Sequence, residues 1–410
     1  MKFTSKFRLA LLATIGTATM IQPVMALDAQ AFVDRVAAVY GAMGYDIEPG
    51  TVEADGATVV VKGVKIAVSG EAPTDIAADL TFTGVTENAD GSYTADALTM
   101  PDFEYDITEK TPGHVSLKNI VVNGIYVPAG DGVNFIASLQ GFASASAGPL
   151  SVTRNGLEVI TVEKIGTANV FNPAQGSADL VDVASSFELT GFSADLSTVA
   201  EENAEAGAVI EALGLTQVSG NINESMTWNM ADGHMVIDQF LINLDDQGAA
   251  MFNADLTGLT PALMDTIYAS AAAAGDDSKT QEQIDQANMM MGMQVMSSVS
   301  INSARLRFDD ASMAMKLINF FAAQENIEPA QLVAGLKQMV PAMINNVGIP
   351  ALNDILVPAV NAFLDDPQSL EVALDPPSPV NGMMAMGAAA NPAGLIPLLG
   401  VSATANQPAK

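Results

Sequence analysis

From Thr51 to about Leu196 the chain is cut into short alternating runs by the turn pairs Asp55-Gly56, Asp90-Gly91, Asn123-Gly124 and Asn155-Gly156. A pleated strand turns successive side chains to opposite faces, and Asn-Gly or Asp-Gly supplies the left-handed backbone of a tight hairpin. The segment therefore predicts a meander of antiparallel strands. Val115, Leu117, Val121, Ile125 and Val127 share one parity and hence one expected face, with Asn119 and Asn123 interrupting it. Further on, Ile222, Met226, Trp228 and Met230 alternate with Asn223, Ser225, Thr227 and Asn229 before the turn Asp232-Gly233. The return strand places Val236, Phe240, Ile242 and Leu244 on one parity, and Phe252, Ala254 and Leu256 continue after Gln247-Gly248. Three strands are thus expected to share a buried apolar face, with a wet face opposite.

Helical periodicity surrounds this pattern. Asp28 can open a helix that carries Phe32, Val36, Val39 and Tyr40 on one stripe and ends at Gly44 or Pro49. Later helices are expected over 198–213, 261–274, 280–297, 312–324 and 329–364, the last broken near Pro341, Pro350 and Pro358. A strand over 299–308 lies among them, and 369–374 reads as the last strand before Asp375-Pro376-Pro377. The expected fold is α+β: a long, twisted antiparallel meander with helices packed on one face and a helix-rich C-terminal third. The expected division is a leader at 1–26, a helix plus β domain at 27–196, a meander with helical cover at 197–375, and an Ala, Met and Pro-rich tail at 376–410.

The leader is expected because Lys2, Lys6 and Arg8 precede an uncharged apolar stretch from Leu9 to Ile21 and the small-residue site Val24-Met25-Ala26. That order of charge, apolar core and small residues marks a secretory signal, so cleavage after Ala26 and a periplasmic location are expected. Cleavage removes three basic and no acidic residues and takes the net charge from −31 to −34. Nucleic acid is an unsuitable partner for such a chain, because counterions on a polyanion are displaced by Lys and Arg. Cysteine is absent, which removes disulfides, thiol nucleophiles and thiolate metal sites and leaves the fold to apolar burial. The longest uncharged stretch, 380–403, is interrupted by Asn381, Asn391, Pro392 and Pro397, so no span is expected in the mature chain.

Catalytic constellations are scarce. The two histidines, His114 and His234, each open a strand directly after a Gly turn, where an exposed strand-end imidazole is the simplest reading. No nucleophile elbow, phosphate loop or His-Glu-x-x-His run occurs. The carboxylate pairs Asp245-Asp246, Asp276-Asp277, Asp309-Asp310 and Asp365-Asp366 fall at expected turns or helix starts, and Asp310 can cap the helix that follows. The expectation is a protein that is not an enzyme and has no cofactor or metal. Methionine is the unusual feature: of 22, five fall at Met289, Met290, Met291, Met293 and Met296 in one predicted helix. Flexible, polarizable side chains suit a variable apolar ligand, so Met289, Met290, Met293 and Met296 are the candidate lining of an apolar groove between sheet and helix. Core filling is the competing reading of the same residues.

Three strings recur at strand ends, Phe82-Thr-Gly-Val-Thr86, Leu189-Thr-Gly-Phe-Ser193 and Leu256-Thr-Gly-Leu-Thr260. Their unequal spacing argues against a solenoid, and Thr-Gly at the end of edge strands is the simplest account. Through Thr83-Gly84, Thr190-Gly191, Thr257-Gly258 and the meander from Asn221 to Leu256, the chain resembles the AsmA-like envelope proteins and related periplasmic β-rich proteins. The resemblance implies a long antiparallel sheet and a lipid-handling role in the envelope, and it transfers no functional residue. The function expected on these grounds is an exported, non-catalytic envelope protein whose partner is lipid or another apolar molecule. A structural module that contacts other envelope proteins through its sheet edges is the alternative, and an enzyme of unfamiliar type the second.

Overall fold

The computed structural model describes residues 27–42, 45–68, 74–76, 79–108, 111–130, 141–174, 180–199, 203–274, 280–346, 348–389 and 392–408. The expected leader and Asp276-Asp277 lie outside the described residues. Helix α1 (Ala29–Ala42) opens the chain, with Asp28 accepting from the Ala31 N–H at 3.0 Å. There follow β1 (Tyr45–Glu48), β2 (Thr51–Asp55), β3 (Thr58–Lys62), β4 (Val64–Val68), β5 (Thr74–Ile76), β6 (Leu80–Thr83) and β7 (Thr86–Glu87). Next come β8 (Tyr93–Met100), β9 (Phe103–Ile107), β10 (Gly113–Leu117), β11 (Ile120–Val127), β12 (Ser144–Ala147), β13 (Leu150–Arg154), β14 (Leu157–Val162), β15 (Lys164–Pro173) and β16 (Val181–Asp195). Helix α2 (Ala204–Ala212) leads to β17 (Gln217–Asn229), β18 (His234–Leu244) and β19 (Gly248–Thr257). Helices α3 (Pro261–Ala274) and α4 (Gln281–Ser298) precede β20 (Ser300–Asp310), and α5 (Met313–Gln324), α6 (Pro329–Asn346) and α7 (Asn353–Asp365) precede β21 (Ser369–Leu374). The chain ends in β22 (Val380–Asn381), α8 (Gly382–Ala389), α9 (Pro392–Leu399) and β23 (Val401–Ala405).

All strand pairs are antiparallel; β15 to β20 pair in sequence order, while earlier strands pair across intervening ones, as β8 with β11 and β12 with β15. β1, β4 and β5 form a small separate sheet. The main sheet runs from β2 through β3, β6, β8, β11, β12, β15, β16, β17, β18, β19, β20 and β21 to β23, and β9, β10, β13 and β14 extend it alongside. No hydrogen-bonded pair joins β2 to β23, so the described sheet is open rather than a closed barrel. Fold class and helical cover agree with the expectation, but two boundaries change. The proposed break after 196 meets no break in the sheet, because β16 and β17 pair from Val183↔Trp228 to Asp195↔Gln217. The supposed tail contributes β23, which pairs with β21 along its whole length.

A seam crosses the sheet where five successive bent strands change phase together. The apolar residues flanking it are three apart on each: Met100 and Phe103, Leu117 and Ile120, Ala147 and Leu150, Val162 and Ile165, Leu189 and Phe192. Asn119 (φ 52°) and Gly191 (φ 64°) take the left-handed backbone that the bend requires. A side chain at Gly191 would place its Cβ 2.3 Å from Glu163 Cγ. Near α1 a second seam at Gly84, Asp96 and Gly124 keeps Phe82 and Val85, Leu98 and Ala95, and Val122 and Ile125 in the same core. The single parity expected for Val115 to Val127 is therefore wrong. Leu117, Val122 and Ile125 share the apolar face, while Val121 pairs with Thr99 and Ser146 on the other. The Thr-Gly strings are corrected too. β6, β16 and β19 are interior strands, and each glycine has positive φ where a Cβ would strike Asp96, Glu163 or the Ser298 carbonyl.

Helices cover the apolar face at its two ends. Phe32 of α1, fully buried, meets Phe82 and Tyr93 edge-on at 5.1 and 5.5 Å among Val33, Val59 and Ile125. In the C-terminal half Trp228 and Met230 pack with Val183, Phe171, Met235 and Met264 of α3. The Trp228 indole donates to Leu259 O at 2.8 Å. Helix α7 lies on β21 and β23, where Phe363 meets Phe308 edge-on, and α6 packs against both α5 and α7. Pro341 and Pro358 sit inside α6 and α7 without ending them, contrary to expectation. Asp310 caps α5 as expected, accepting from the Ala314 N–H at 2.8 Å. In β18 a bulge between Ile237 and Phe240 moves Met235 and Ile237 onto the apolar face and turns Val236 to the polar one, opposite Thr227. The parity expected for Val236 fails there.

Candidate functional site

Between its helix-covered ends the apolar face carries exposed rows among the described residues, with Val162 and Ala194 buried within them. Across β9, β10, β13 and β14 one row reads Phe103, Leu117, Leu150 and Val162, and the next reads Tyr105, Val115, Val152 and Ile160. The second row continues through Ala194 of β16 to Val218 of β17. Val218 and Ile222 share a parity on β17, so this face is continuous with the row Ile165, Leu189, Ile222, Ile242, Ala250, Phe308, Leu370 and Ala405. Phe103 is 45% exposed, Tyr105 57%, Leu157 59% and Ile160 37%. Phe103 and Tyr105 stack with centroids 6.5 Å apart. Along the same face Phe240 and Leu306 are also exposed. Single exposed apolar residues are ordinary, but contiguous rows of them mark a contact surface.

The methionine helix does not line this face as expected. Ile284, Ala287, Met291, Val295 and Met296 form the half-buried stripe of α4, which packs on α3 and α8. Met289, Met290 and Met293 point the opposite way and are 68, 62 and 54% exposed. Of the four candidates only Met296 is enclosed, against Gly382, where a Cβ would stand 3.0 Å from its own. Met383, Met384 and Met386 of α8 and Met339 and Met343 of α6 are exposed as well. The methionines thus form an outer apolar coat on the helical layer. Sequence reasoning missed the continuity of this face because it crosses the seam, where the apolar residues of one strand are three apart rather than two.

The opposite face of β9, β10, β13 and β14 is polar. His114 lies between two carboxylates, with Nε2 2.6 Å from Glu104 Oε2 and Nδ1 2.7 Å from Asp106 Oδ1. Hydrogen bonds from Asp106 first and Glu104 second raise its pKa. The Ser116 hydroxyl donates to Glu104 at 2.9 Å and, with His114, lowers that carboxyl's pKa. His234 pairs with Asp255 at 2.8 Å on β18 and β19, strands that are not neighbours of β10, so the histidines do not meet. Asp309 holds Arg307 through both carboxylate oxygens, and Asp365 pairs with Lys337. Among the described residues no three His, Asp or Glu side chains gather as a metal ion requires. A hollow of about 490 Å³ on this polar face is lined by Ser144, Ser146, Ser186, Asn223 and the ion pair Lys164–Glu188, with no imidazole in it.

Arg307 anchors the C-terminal strands. Its guanidinium is 5% exposed and donates to Asp309 and to Gln407 O at 2.9 Å, with Glu371 3.5 Å away. Asp309 first, then Glu371, raise its pKa and keep it charged.

A protein-family model described only as an uncharacterized protein matches residues 241–406. The matched stretch runs from β18 to the end of β23 and contains the whole helical layer from α3 to α9. A comparison with curated proteins returned no match to the chain. Among the described residues no helix is long and apolar enough to cross a membrane.

Proposed function

We propose that this chain is an exported, non-catalytic protein of the cell envelope that holds lipid acyl chains on the exposed rows of the apolar face of its sheet. The observation that carries the reading is the pair of uncovered rows ending in Phe103, Tyr105 and Ile160, continuous with the helix-covered parts of the same face. An extended hydrocarbon needs length and apolar contact and few directional bonds, and these rows supply that. The expected leader and the acidic surface support a periplasmic location, where such a protein meets lipid without adhering to anionic headgroups.

Native mass spectrometry of the gently purified protein is expected to show bound phospholipid or fatty acid. Uptake of a fluorescent acyl probe is expected to fall at least tenfold in Tyr105→Glu/Ile160→Glu with an unchanged far-ultraviolet spectrum. Wild-type protein that carries no lipid and takes up no probe would refute the reading.

A further inference from the structure

Among the described residues nine methionines are 43 to 68% exposed, and all nine stand on the helical layer. Helix α4 presents Met289, Met290 and Met293, and α8 presents Met383, Met384 and Met386. Met339 and Met343 lie on α6 and Met315 on α5. The methionines of the strands are spared: Met230 is fully buried, and Met100, Met226, Met235 and Met251 are half-buried. Gln, Glu and Lys form helices as readily as Met, and at a wet position they expose less apolar area. Neither helix formation nor packing accounts for Met at these nine positions. What methionine alone brings there is sulfur, and in a chain without cysteine the thioether is the only form of it.

We propose that the helical layer is a sacrificial oxidant sink, in which these nine exposed thioethers consume hypohalous acid. When one thioether meets hypochlorous acid, the sulfur gives up two electrons, which leave with chlorine as chloride. The oxygen ends on sulfur as a sulfoxide and the hydroxyl proton passes to water, so each methionine removes one molecule of oxidant. Hypochlorous acid is uncharged and is not held off by the −31 charge of the chain. A sulfoxide is polar, and it disrupts a core when it forms inside one. On these nine side chains it faces water instead, so the contacts of α4 with α3 and α8 survive the reaction. Met291 and Met296, on the half-buried stripe of α4, are screened, and Met230 is enclosed beside Trp228. The sink does not depend on lipid binding, which is read by probe uptake rather than by oxygen content.

The test is stepwise addition of hypochlorous acid to the full-length chain, with peptide mass spectrometry after each step. The first nine equivalents are expected to place one oxygen on each exposed methionine, about tenfold faster than on Met230, with melting temperature and Trp228 emission unchanged. Capacity is read as protection of an equimolar reporter enzyme that methionine oxidation inactivates. Met289→Leu/Met290→Leu/Met293→Leu/Met383→Leu/Met384→Leu/Met386→Leu keeps the apolar area and removes six of the nine sulfurs, so protection is expected to fall about threefold. Should that variant misfold, Met315→Leu/Met339→Leu/Met343→Leu is expected to lower protection by about one third. Oxygen that reaches Met230 as early as Met289, a melting temperature that falls before the ninth equivalent, or leucine variants that protect as well as the wild type would each overturn the proposal.

Discussion

Two side-chain clusters illustrate what a single residue does in this molecule. His114 is solvent-accessible, yet carboxylates on both ring nitrogens hold its pKa above the ordinary value of 6.5. A raised folded-state pKa means that the His114 contribution to stability is complete below the unfolded value and is lost as pH rises through the folded one. Glu104 has the opposite sign: its lowered pKa gives a contribution present above the unfolded value and lost as pH falls through the folded one. An NMR titration of His114 is expected to show a midpoint above 6.5 that falls toward it in Glu104→Gln. An unshifted wild-type midpoint would refute the bracketed geometry. Arg307 differs because it is enclosed: Arg307→Ala leaves Glu371, whose side chain is 10% exposed, with Arg305 at 3.5 Å as its remaining cation and frees the Gln407 carbonyl. The expected loss is about 2 kcal/mol in urea unfolding, since the Gln407 carbonyl loses its donor while Arg305 still faces Glu371. Neither cluster was legible in the sequence, where Glu104, Asp106, Arg307 and Glu371 are ordinary strand residues. Cross-strand register makes them neighbours.

At the scale of elements, helix α4 was legible in extent and not in orientation. Its capping box, Thr280 with Gln283, and its length follow from local signals. Which stripe packs is decided by α3 and α8, and they take Met291 and Met296. The triple variant Met289→Gln/Met290→Gln/Met293→Gln is therefore expected to change stability by no more than about 0.5 kcal/mol per site. A lowered melting temperature that reports several kcal/mol would return these methionines to a core. The strands show the same division. Hairpin turns such as Asn155-Gly156 were read from sequence, and Asn155 and Gly156 both have positive φ. The bulge in β18 was not, because the sequence alternates through Val236 without a mark.

For the whole molecule, the main consequence is that one sheet crosses the expected domain boundary. β16 to β20 form a single ladder, so the two halves are expected to unfold together. Trp228, 2% exposed and donating to Leu259, is the only tryptophan and reports the C-terminal half. Its emission is expected to be blue-shifted in the native state and to move red in one transition that coincides with far-ultraviolet circular dichroism. Two separated transitions would restore the two-domain reading. The strand-rich meander, the helical positions, the cap at Asp310 and the poverty of catalytic groups are legible locally, because alternation, turn chemistry and capping act within a few residues. Which face of each strand is apolar, how the strands order in the sheet and where the methionines point depend on packing between distant segments. The seam keeps Leu117 and Ile120 on one face only because Met100, Phe103, Ala147 and Leu150 bend in step beside them, and no local period records that agreement.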